Sequence, residues 1–204
     1  MTERIAILGP PASGKGTQAS ALAERRDLVH LSTGDLLRAA VAADTELGTQ
    51  AAPYMERGEL VPDELILQIV AAELPDDQGF VLDGFPRTKP QLDALEEPLD
   101  LVILLEVSEE ESVHRVTGRR VCPEGHVYHV DYDPPEEPGV CDVDGEPLRQ
   151  RDDDTAEIVR TRWQEYAEQT APLIEVLEDR TRVERVDGEA PPDEVTNRVI
   201  ALFD

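Results

Sequence analysis

Short apolar runs separated by amphipathic segments recur along the 204-residue chain. Such runs are typical of buried strands, and the segments between them space their apolar residues as helices do. Strands are predicted at 5–8, 29–31, 80–82, 101–107 and 183–186. Helices are predicted at 18–26, 47–57, 89–95, 109–117, 154–177 and 192–203, and another opens at 62–64. Because strands alternate with helices, we expect an α/β fold with a doubly wound, five-stranded parallel sheet.

Local signals mark several helix ends. Ser32, Thr33 or Asp35 can cap the helix that follows the second predicted strand. Gly58 ends the helix at 47–57, and Pro62 stands in the first turn of the next helix.

Two segments depart from the strand–helix alternation. Residues 121–150 contain five prolines, three glycines and both cysteines, and only 127–132 is strand-like. A stretch of this length inside a compact domain predicts a small insertion of short strands. The helical segment 32–61, between the second and third strands, is a second candidate insertion.

The charge of the chain excludes some partners. Acidic residues number 45 against 19 basic residues, and the formal net charge is −26. Such a surface opposes binding to nucleic acids and to anionic membranes. Because 40% of the residues are hydrophobic and fall in periodic runs, the charge does not indicate disorder. We interpret it as a halophilic adaptation, since the Debye length falls to about 3 Å at 1 M salt.

The sequence also predicts where the protein works. No apolar run approaches the ~18 residues of a transmembrane helix. No signal-peptide pattern follows Met1, and two cysteines are too few for a disulfide scaffold. We therefore expect a cytoplasmic protein.

Residues 9–17, Gly-Pro-Pro-Ala-Ser-Gly-Lys-Gly-Thr, stand between the first predicted strand and the first predicted helix. This context predicts a P-loop, whose backbone N–H groups point at phosphate oxygens. Lys15, one of only two lysines, supplies a cation for the β and γ phosphates, and the hydroxyl of Thr17 suits Mg²⁺. Gly16 stands between them, a form that favours a kinase over a GTPase. Alanine at position 12 predicts that the loop needs no extreme left-handed backbone there.

Further motifs follow the P-loop in a specific order. Over essentially its whole length the chain resembles adenylate kinases of the long-lid type. The resemblance rests on residues 15–18, 32–38, 58–63, 82–88, 91, 118–120, 128–129, 151–153 and 162. It implies reversible transfer of the terminal phosphoryl group of MgATP to AMP, which gives two ADP. It implies a P-loop NTPase core at 1–31, 62–120 and 151–204, a helical AMP-binding insertion at 32–61 and a β lid at 121–150.

The resemblance also implies roles for individual residues. Planar, permanently charged arginines suit phosphoryl transfer because each can grip two phosphate oxygens. The implied catalytic residues are Lys15, Arg87, Arg119, Arg151 and Arg162, with Asp83 to position hydrated Mg²⁺. The implied ATP-binding residues are Ala12, Ser13, Gly14, Lys15, Gly16, Thr17, Arg115, Arg119, Val127, Tyr128 and Ala190. The implied AMP-binding residues are Thr33, Arg38, Glu59, Leu60, Val61, Gly84, Phe85, Pro86, Arg87, Gln91, Arg151 and Arg162.

The cysteines resemble part of the zinc-binding lid of many bacterial adenylate kinases, which present Cys-x2-Cys and then Cys-x2-Cys or Cys-x2-Asp. The second ligand of that pattern is missing here, and His126 could replace it. Cys122, His126, Cys141 and Asp144 would then form a tetrahedral Zn²⁺ site. The alternative is a metal-free lid held by hydrogen bonds and packing.

Three other functions remain open on the sequence alone. A kinase for UMP, CMP or GMP would share the fold, although Thr33 favours AMP. A GTPase-like switch needs an Asn-Lys-x-Asp motif, which the sequence lacks. A zinc-ribbon binding module without catalysis would leave the P-loop and the arginines without a role. The expected partners are ATP, AMP and ADP, and we expect a monomer.

Overall fold

A computed structural model describes residues 3–75, 77–95 and 98–203 of the chain. Residues 1, 2, 76, 96, 97 and 204, which the predicted core ranges include, lie outside the described residues. The strands are β1 (Arg4–Leu8), β2 (Val29–Ser32), β3 (Phe80–Asp83), β4 (Leu101–Glu106), β5 (Arg119–Val121), β6 (Val127–His129) and β7 (Arg182–Asp187). The α-helices are α1 (Lys15–Arg26), α2 (Thr33–Ala42), α3 (Glu46–Arg57), α4 (Asp63–Glu73), α5 (Lys89–Asp93), α6 (Glu109–Gly118), α7 (Ala156–Glu165), α8 (Ala171–Glu178) and α9 (Pro192–Ile200).

Five parallel strands form the main sheet, in the order β2-β3-β1-β4-β7. The predicted α/β fold is therefore confirmed. Ile7 of β1 pairs with Asp83 of β3 and with Ile103 of β4, and Ser32 of β2 also pairs with Asp83. Because all strands are parallel, the carboxyl ends of β1, β2 and β3 meet at one edge of the sheet. Open α/β sheets bind their ligands at this edge.

The three central strands of the main sheet, β1, β3 and β4, are covered on both faces. Ile5 and Ile7 of β1 are buried in one apolar cluster, which includes residues of α1 and α9. Ala6 and Leu8 are buried in the other, which includes residues of α2, α3, α4 and α8. A strand buried on both faces is apolar at every position, which is why short continuous apolar runs predict it.

Two helix predictions need correction. Pro62 is the N-cap residue that precedes α4, and it does not lie in the first turn. The helix predicted at 154–177 begins at Ala156 and contains a π-helical turn, Tyr166–Thr170, between α7 and α8. Pro172 accounts for the wider turn, since proline lacks an N–H and clashes with the carbonyl four residues earlier. The amide N–H of Ala171 bonds instead to the carbonyl of Tyr166, five residues back.

A second sheet of two antiparallel strands, β5 and β6, lies at the start of the predicted lid. The strand-like stretch at 127–132 forms a strand only as far as His129. The buried centre of this region consists of Cys122, Tyr128 and Cys141, with Leu148 packed against it. The other predicted insertion, 32–61, contains α2 and α3, which pack against each other.

Within residues 3–75, 77–95 and 98–203, every helix is too short or too polar to cross a lipid bilayer.

Candidate active site

The loop between β1 and α1 surrounds the ammonium group of Lys15. Its Nζ donates hydrogen bonds to the carbonyl oxygens of Pro10 at 2.7 Å and Gly9 at 3.0 Å. Gly9 has a φ of +149°, and a Cβ there would lie 2.5 Å from the carbonyl oxygen of Leu105. Only glycine fits this position. α1 begins without a side-chain cap, so the N–H groups of its first turn can bind phosphate oxygens.

Ala12, in the middle of the same loop, has a φ of +56°. The prediction that this position avoids the left-handed region is therefore wrong. The conformation costs an L-residue about 1–2 kcal/mol, and strain of this kind is concentrated at functional sites.

Asp83 ends β3 next to the P-loop. A Cβ on Gly16 would lie 3.2 Å from Oδ2 of Asp83, so the glycine between Lys15 and Thr17 leaves room for this carboxylate. Burial lowers the pKa of Lys15 to about 8, although the negative charge of Asp83 raises it. Lys15 therefore remains a cation at neutral pH but loses its charge at a lower pH than an exposed lysine does.

Two aspartates, the buried Asp154 and the half-buried Asp153, hold two of the predicted catalytic arginines. Asp154, whose side chain is fully buried, accepts hydrogen bonds from Nε of Arg119 at 2.8 Å and from its Nη2. Asp153 accepts a hydrogen bond from Nη2 of Arg162 at 2.6 Å. These charge-assisted bonds fix the guanidinium groups before any ligand arrives.

Arg38 and Arg151 are held in the same way. Asp35 accepts hydrogen bonds from Arg38 at 2.6 Å and from Arg151 at 3.3 Å, and Asp153 lies 3.8 Å from Arg38. Burial and the nearby charges of Arg38 and Arg119 lower the pKa of Arg151 to about 10. The arginines are thus close enough to repel one another, which prepares the site for an anion.

Arg87 differs from these arginines. Among the described residues, no carboxylate lies within 4.0 Å of its guanidinium group. Nε donates to the carbonyl oxygen of Gly84 at 2.6 Å. Burial lowers the pKa of Arg87, the negative charge of Asp83 opposes this shift, and the charges of Arg162 and Arg38 add to it. Arg87 therefore differs from the other four arginines of the cleft, each of which contacts an aspartate.

These groups meet in a cleft of about 550 Å³. The predicted site residues that line it are Ala12, Ser13, Gly14, Lys15, Gly16, Thr17, Thr33, Arg38, Glu59, Leu60, Val61, Asp83, Gly84, Arg87, Gln91, Arg119, His126, Val127, Arg151 and Arg162.

Three residues of the predicted AMP site differ in their surroundings. Gln91 is buried, and its Oε1 accepts a hydrogen bond from the amide of Arg87 at 2.8 Å. Its Nε2 donates to Oδ1 of Asp63 at 2.7 Å, so the amide keeps one N–H for another partner. Phe85 is buried in the core, and neither it nor Pro86 lines the cleft.

Three predicted ATP-binding residues also do not line this cleft. The ring of Tyr128 lies in the small apolar centre of the lid. Arg115 donates to Glu111 at 2.6 Å. Arg115 and Ala190 are likewise absent from the lining of the cleft.

The four predicted metal ligands of the lid do come together. Their ligand atoms all lie within 4.8 Å of one another. Nδ1 of His126 is 3.0 Å from Oδ2 of Asp144, 3.2 Å from Sγ of Cys122 and 3.5 Å from Sγ of Cys141. Sγ of Cys122 is 3.3 Å from Oδ2 of Asp144.

This donor set fits Zn²⁺. Around a tetrahedral zinc with bonds of about 2.0–2.3 Å, ligand atoms lie about 3.3–3.8 Å apart, close to the separations seen here. The backbone N–H of Glu146 and the Cys141 thiol lower the pKa of Asp144 to about 2. The ligand set therefore already contains one carboxylate that is ionised at neutral pH.

Sequence reasoning missed several residues that line the cleft or hold its arginines. Asp35 and Asp153 belong to motifs that carried the resemblance, but their role in holding arginines depends on which side chains the fold brings together. His30 has its Nε2 3.6 Å from Oδ2 of Asp83. Thr170 also lines the cleft, and no local signal in the sequence marks it.

Comparisons with known proteins agree with this site. The adenylate kinase family model matches residues 7–182. The adenylate kinase of Streptomyces coelicolor is 47% identical over 209 residues, which cover 97% of this chain and 96% of the relative. The adenylate kinase of Staphylococcus epidermidis is 43% identical over 211 residues, which cover 98% of both chains. With its P-loop, its arginine-lined cleft and these relatives, the chain belongs to the adenylate kinase family.

Proposed function

We propose that this chain, an ATP:AMP phosphotransferase like its relatives, transfers the terminal phosphoryl group of MgATP to AMP in the cleft described above. One observation carries the proposal. In a chain of net charge −26, six cationic side chains line one cavity: Lys15, Arg38, Arg87, Arg119, Arg151 and Arg162. A positive field in the cleft of an otherwise negative protein favours the binding of two polyanionic nucleotides there.

The P-loop binds the donor phosphates. The N–H groups at the start of α1 bind phosphate oxygens, and Lys15 exchanges its carbonyl partners, Gly9 and Pro10, for the β and γ phosphates. Thr17 and Asp83 would hold Mg²⁺, which arrives with ATP. When bound, Mg²⁺ neutralises charge on the β and γ oxygens.

The acceptor nucleotide lies on the other side of the cleft. Arg38 and Arg87 bind the AMP phosphate, and Thr33 and Gln91 contact the base. Thr33 is buried at the start of α2, which supports a contact with the base of AMP. Glu59, Leu60 and Val61 pass their backbone along the same nucleotide.

Arg119, Arg151 and Arg162 neutralise the charge of the phosphoryl group in transit. Protein groups do little covalent chemistry in this reaction, and positioning and electrostatics supply most of the rate. Aspartates already hold these arginines, so little reorganisation is needed in the transition state. Closure of 121–150 over ATP and of 32–61 over AMP excludes water, which would otherwise hydrolyse ATP.

We infer that 121–150 is a long lid held by Zn²⁺ on Cys122, His126, Cys141 and Asp144. The spacing of the four ligand atoms supports this, as does the small size of the apolar centre beside them. A region with so few buried side chains gains stability from a structural metal.

The net charge supports three further inferences. Self-repulsion opposes association of identical chains, so the protein is a monomer, and the same charge keeps it from nucleic acids and anionic membranes. The charge also supports adaptation to high salt, where repulsion is screened. Cys122 and Cys141 form no disulfide with each other, which suits the reducing cytoplasm.

An acceptor screen tests the function. The purified chain is given ATP and Mg²⁺ with AMP, CMP, UMP or GMP, and ADP formation is followed by a coupled assay from dilute buffer to molar KCl. We expect AMP to be preferred at least about tenfold. A preference for UMP or CMP would identify the other kinase of the same fold, and no turnover with any acceptor would contradict the proposal.

The same titration tests the salt adaptation. Activity and the circular dichroism signal should both rise from dilute buffer toward molar KCl, because screening removes repulsion among carboxylates. An activity and a dichroism signal that are the same in dilute buffer as in molar KCl would contradict the salt adaptation.

A further inference from the structure

Hydrogen bonds hold both the amide N–H and the carbonyl oxygen of Arg87. On one side, Gln91 accepts a hydrogen bond from the amide of Arg87 at 2.8 Å. Asp63, in the first turn of α4, accepts hydrogen bonds from Gln91 at 2.7 Å and from Thr88 at 2.9 Å. These bonds fix the N-terminal side of the Arg87 peptide and the segment after it.

On the other side, the carbonyl of Arg87 is held from a different part of the chain. Oγ1 of Thr170 donates a hydrogen bond to this carbonyl oxygen at 3.1 Å, across 83 residues of sequence. Thr170 is only 3% exposed. Arg87 has no carboxylate within 4.0 Å among the described residues. It is therefore positioned by hydrogen bonds to its main chain, whereas aspartates position the other arginines of the cleft.

The π-helical turn brings Thr170 to this position. A wider turn changes the direction of the side chains that follow it, and such turns are frequent at functional sites. Here the turn Tyr166–Thr170 ends at Thr170, just before Pro172. The hydroxyl is therefore presented to the Arg87 carbonyl at the point where the helix departs from α-helical geometry.

We propose that Thr170 is a positioning residue for Arg87: its hydroxyl fixes the Arg87 carbonyl and so aims the guanidinium group at the acceptor phosphate. The inference rests on the proposed role of Arg87 in binding AMP. Thr170 itself need not touch either nucleotide.

Thr170→Val and Thr170→Ala remove the hydroxyl, and Thr170→Ser keeps it. Each variant is assayed with AMP varied at saturating ATP, and with ATP varied at saturating AMP. Losing the bond removes the Thr170 partner of a part-buried carbonyl. We expect kcat/KM for AMP to fall about tenfold in the Val and Ala variants, kcat/KM for ATP to change less than about twofold, and Ser to restore wild-type values.

Thr181→Val is the matched control. Its Oγ1 also donates to a distant carbonyl, that of Leu99, at 2.7 Å and across 82 residues. Neither residue lines the cleft. This variant should lose a similar amount of thermal stability and keep its kinetic constants, which separates a stability effect from positioning.

A double-mutant cycle with Arg87→Lys tests the route of the effect. If Thr170 acts through the Arg87 guanidinium, Thr170→Val should cost less than about twofold more in the Arg87→Lys background. The inference would be overturned if kcat/KM fell equally for AMP and ATP, or if the kinetic constants of Thr170→Val did not change. It would also be overturned if Thr181→Val lost as much kcat/KM for AMP, or if the effects of Thr170→Val and Arg87→Lys were fully additive. A wild-type chain that makes no ADP from AMP would instead overturn the proposed function.

Discussion

The cleft has a floor, formed by the loops that carry Lys15 and Arg87 at the ends of β1 and β3. The floor and the lid hold their polar groups by different means. In the floor, Lys15 and Arg87 are held by main-chain carbonyls, in loops that follow strands buried on both faces of the sheet. In the lid, strands are three residues long, and four polar side chains, Cys122, His126, Cys141 and Asp144, cluster around the His126 ring. The comparison teaches that the floor derives its geometry from the core fold, whereas the lid depends on a cluster that a metal can hold.

The largest effect should come from the floor. Lys15→Ala removes the P-loop cation and should lower kcat by about 10²–10³-fold, as loss of one preorganised electrostatic group does. The melting temperature should change little, because the strands that frame the loop keep their packing. Steady-state kinetics and thermal unfolding measure both quantities.

Lys89→Ala is the matched control for this prediction. Lys89 is the other lysine of the chain, and its exposed ammonium pairs with Asp93. It should retain full activity. Retained activity in Lys15→Ala, or equal losses in the two variants, would contradict the role given to the P-loop.

A smaller effect is expected from the lid. Cys141→Ser replaces a soft ligand and should reduce bound zinc from about one ion per chain to a small fraction. Activity should fall about tenfold, because a loosened lid excludes water less well. Elemental analysis of the purified protein measures the zinc.

Asp142→Asn is the control in the lid. Asp142 is next to Cys141 but outside the four-residue cluster, so the variant should keep its zinc. A wild-type chain that contains no zinc and matches Cys141→Ser in stability would favour the metal-free lid.

The smallest effect is a change with pH. Burial lowers the pKa of Lys15 to about 8, so the free protein loses this positive charge as the pH rises through 8. Bound phosphates favour the charged form and raise the pKa in the complex. kcat/KM for ATP should therefore be halved at about pH 8 and decline further above it, whereas kcat stays level to higher pH. A kcat/KM that is flat to pH 9.5 would contradict this account of Lys15.

The centre of the sheet was predictable from the sequence because its strands β1, β3 and β4 are covered on both faces. Continuous apolar runs such as 5–8 and 101–105, flanked by helical segments, are typical of strands buried in this way. The π-helical turn was not predictable in the same way. Pro172 signals a disturbance in a helix, but whether the chain stops, kinks or widens depends on tertiary contacts such as that between Thr170 and Arg87.

The site was predictable in its residue types and less so in its contacts. The P-loop motif indicates phosphate binding at Lys15 because the motif and its flanking elements are local. That Asp154 is buried against Arg119 depends on a pairing across 35 residues, which no local pattern encodes. At Ala12 the residue type itself led to a wrong prediction, because the loop imposes a left-handed backbone that alanine disfavours.

Hydrogen–deuterium exchange with and without a zinc chelator tests the difference between floor and lid most directly. If the lid depends on its cluster, chelation should raise amide exchange in β6 and in 141–146 by at least about tenfold, because local opening becomes easier there. Exchange in β1 and β4 should stay the same. No change in the lid, or an equal increase in the lid and the main sheet, would contradict it.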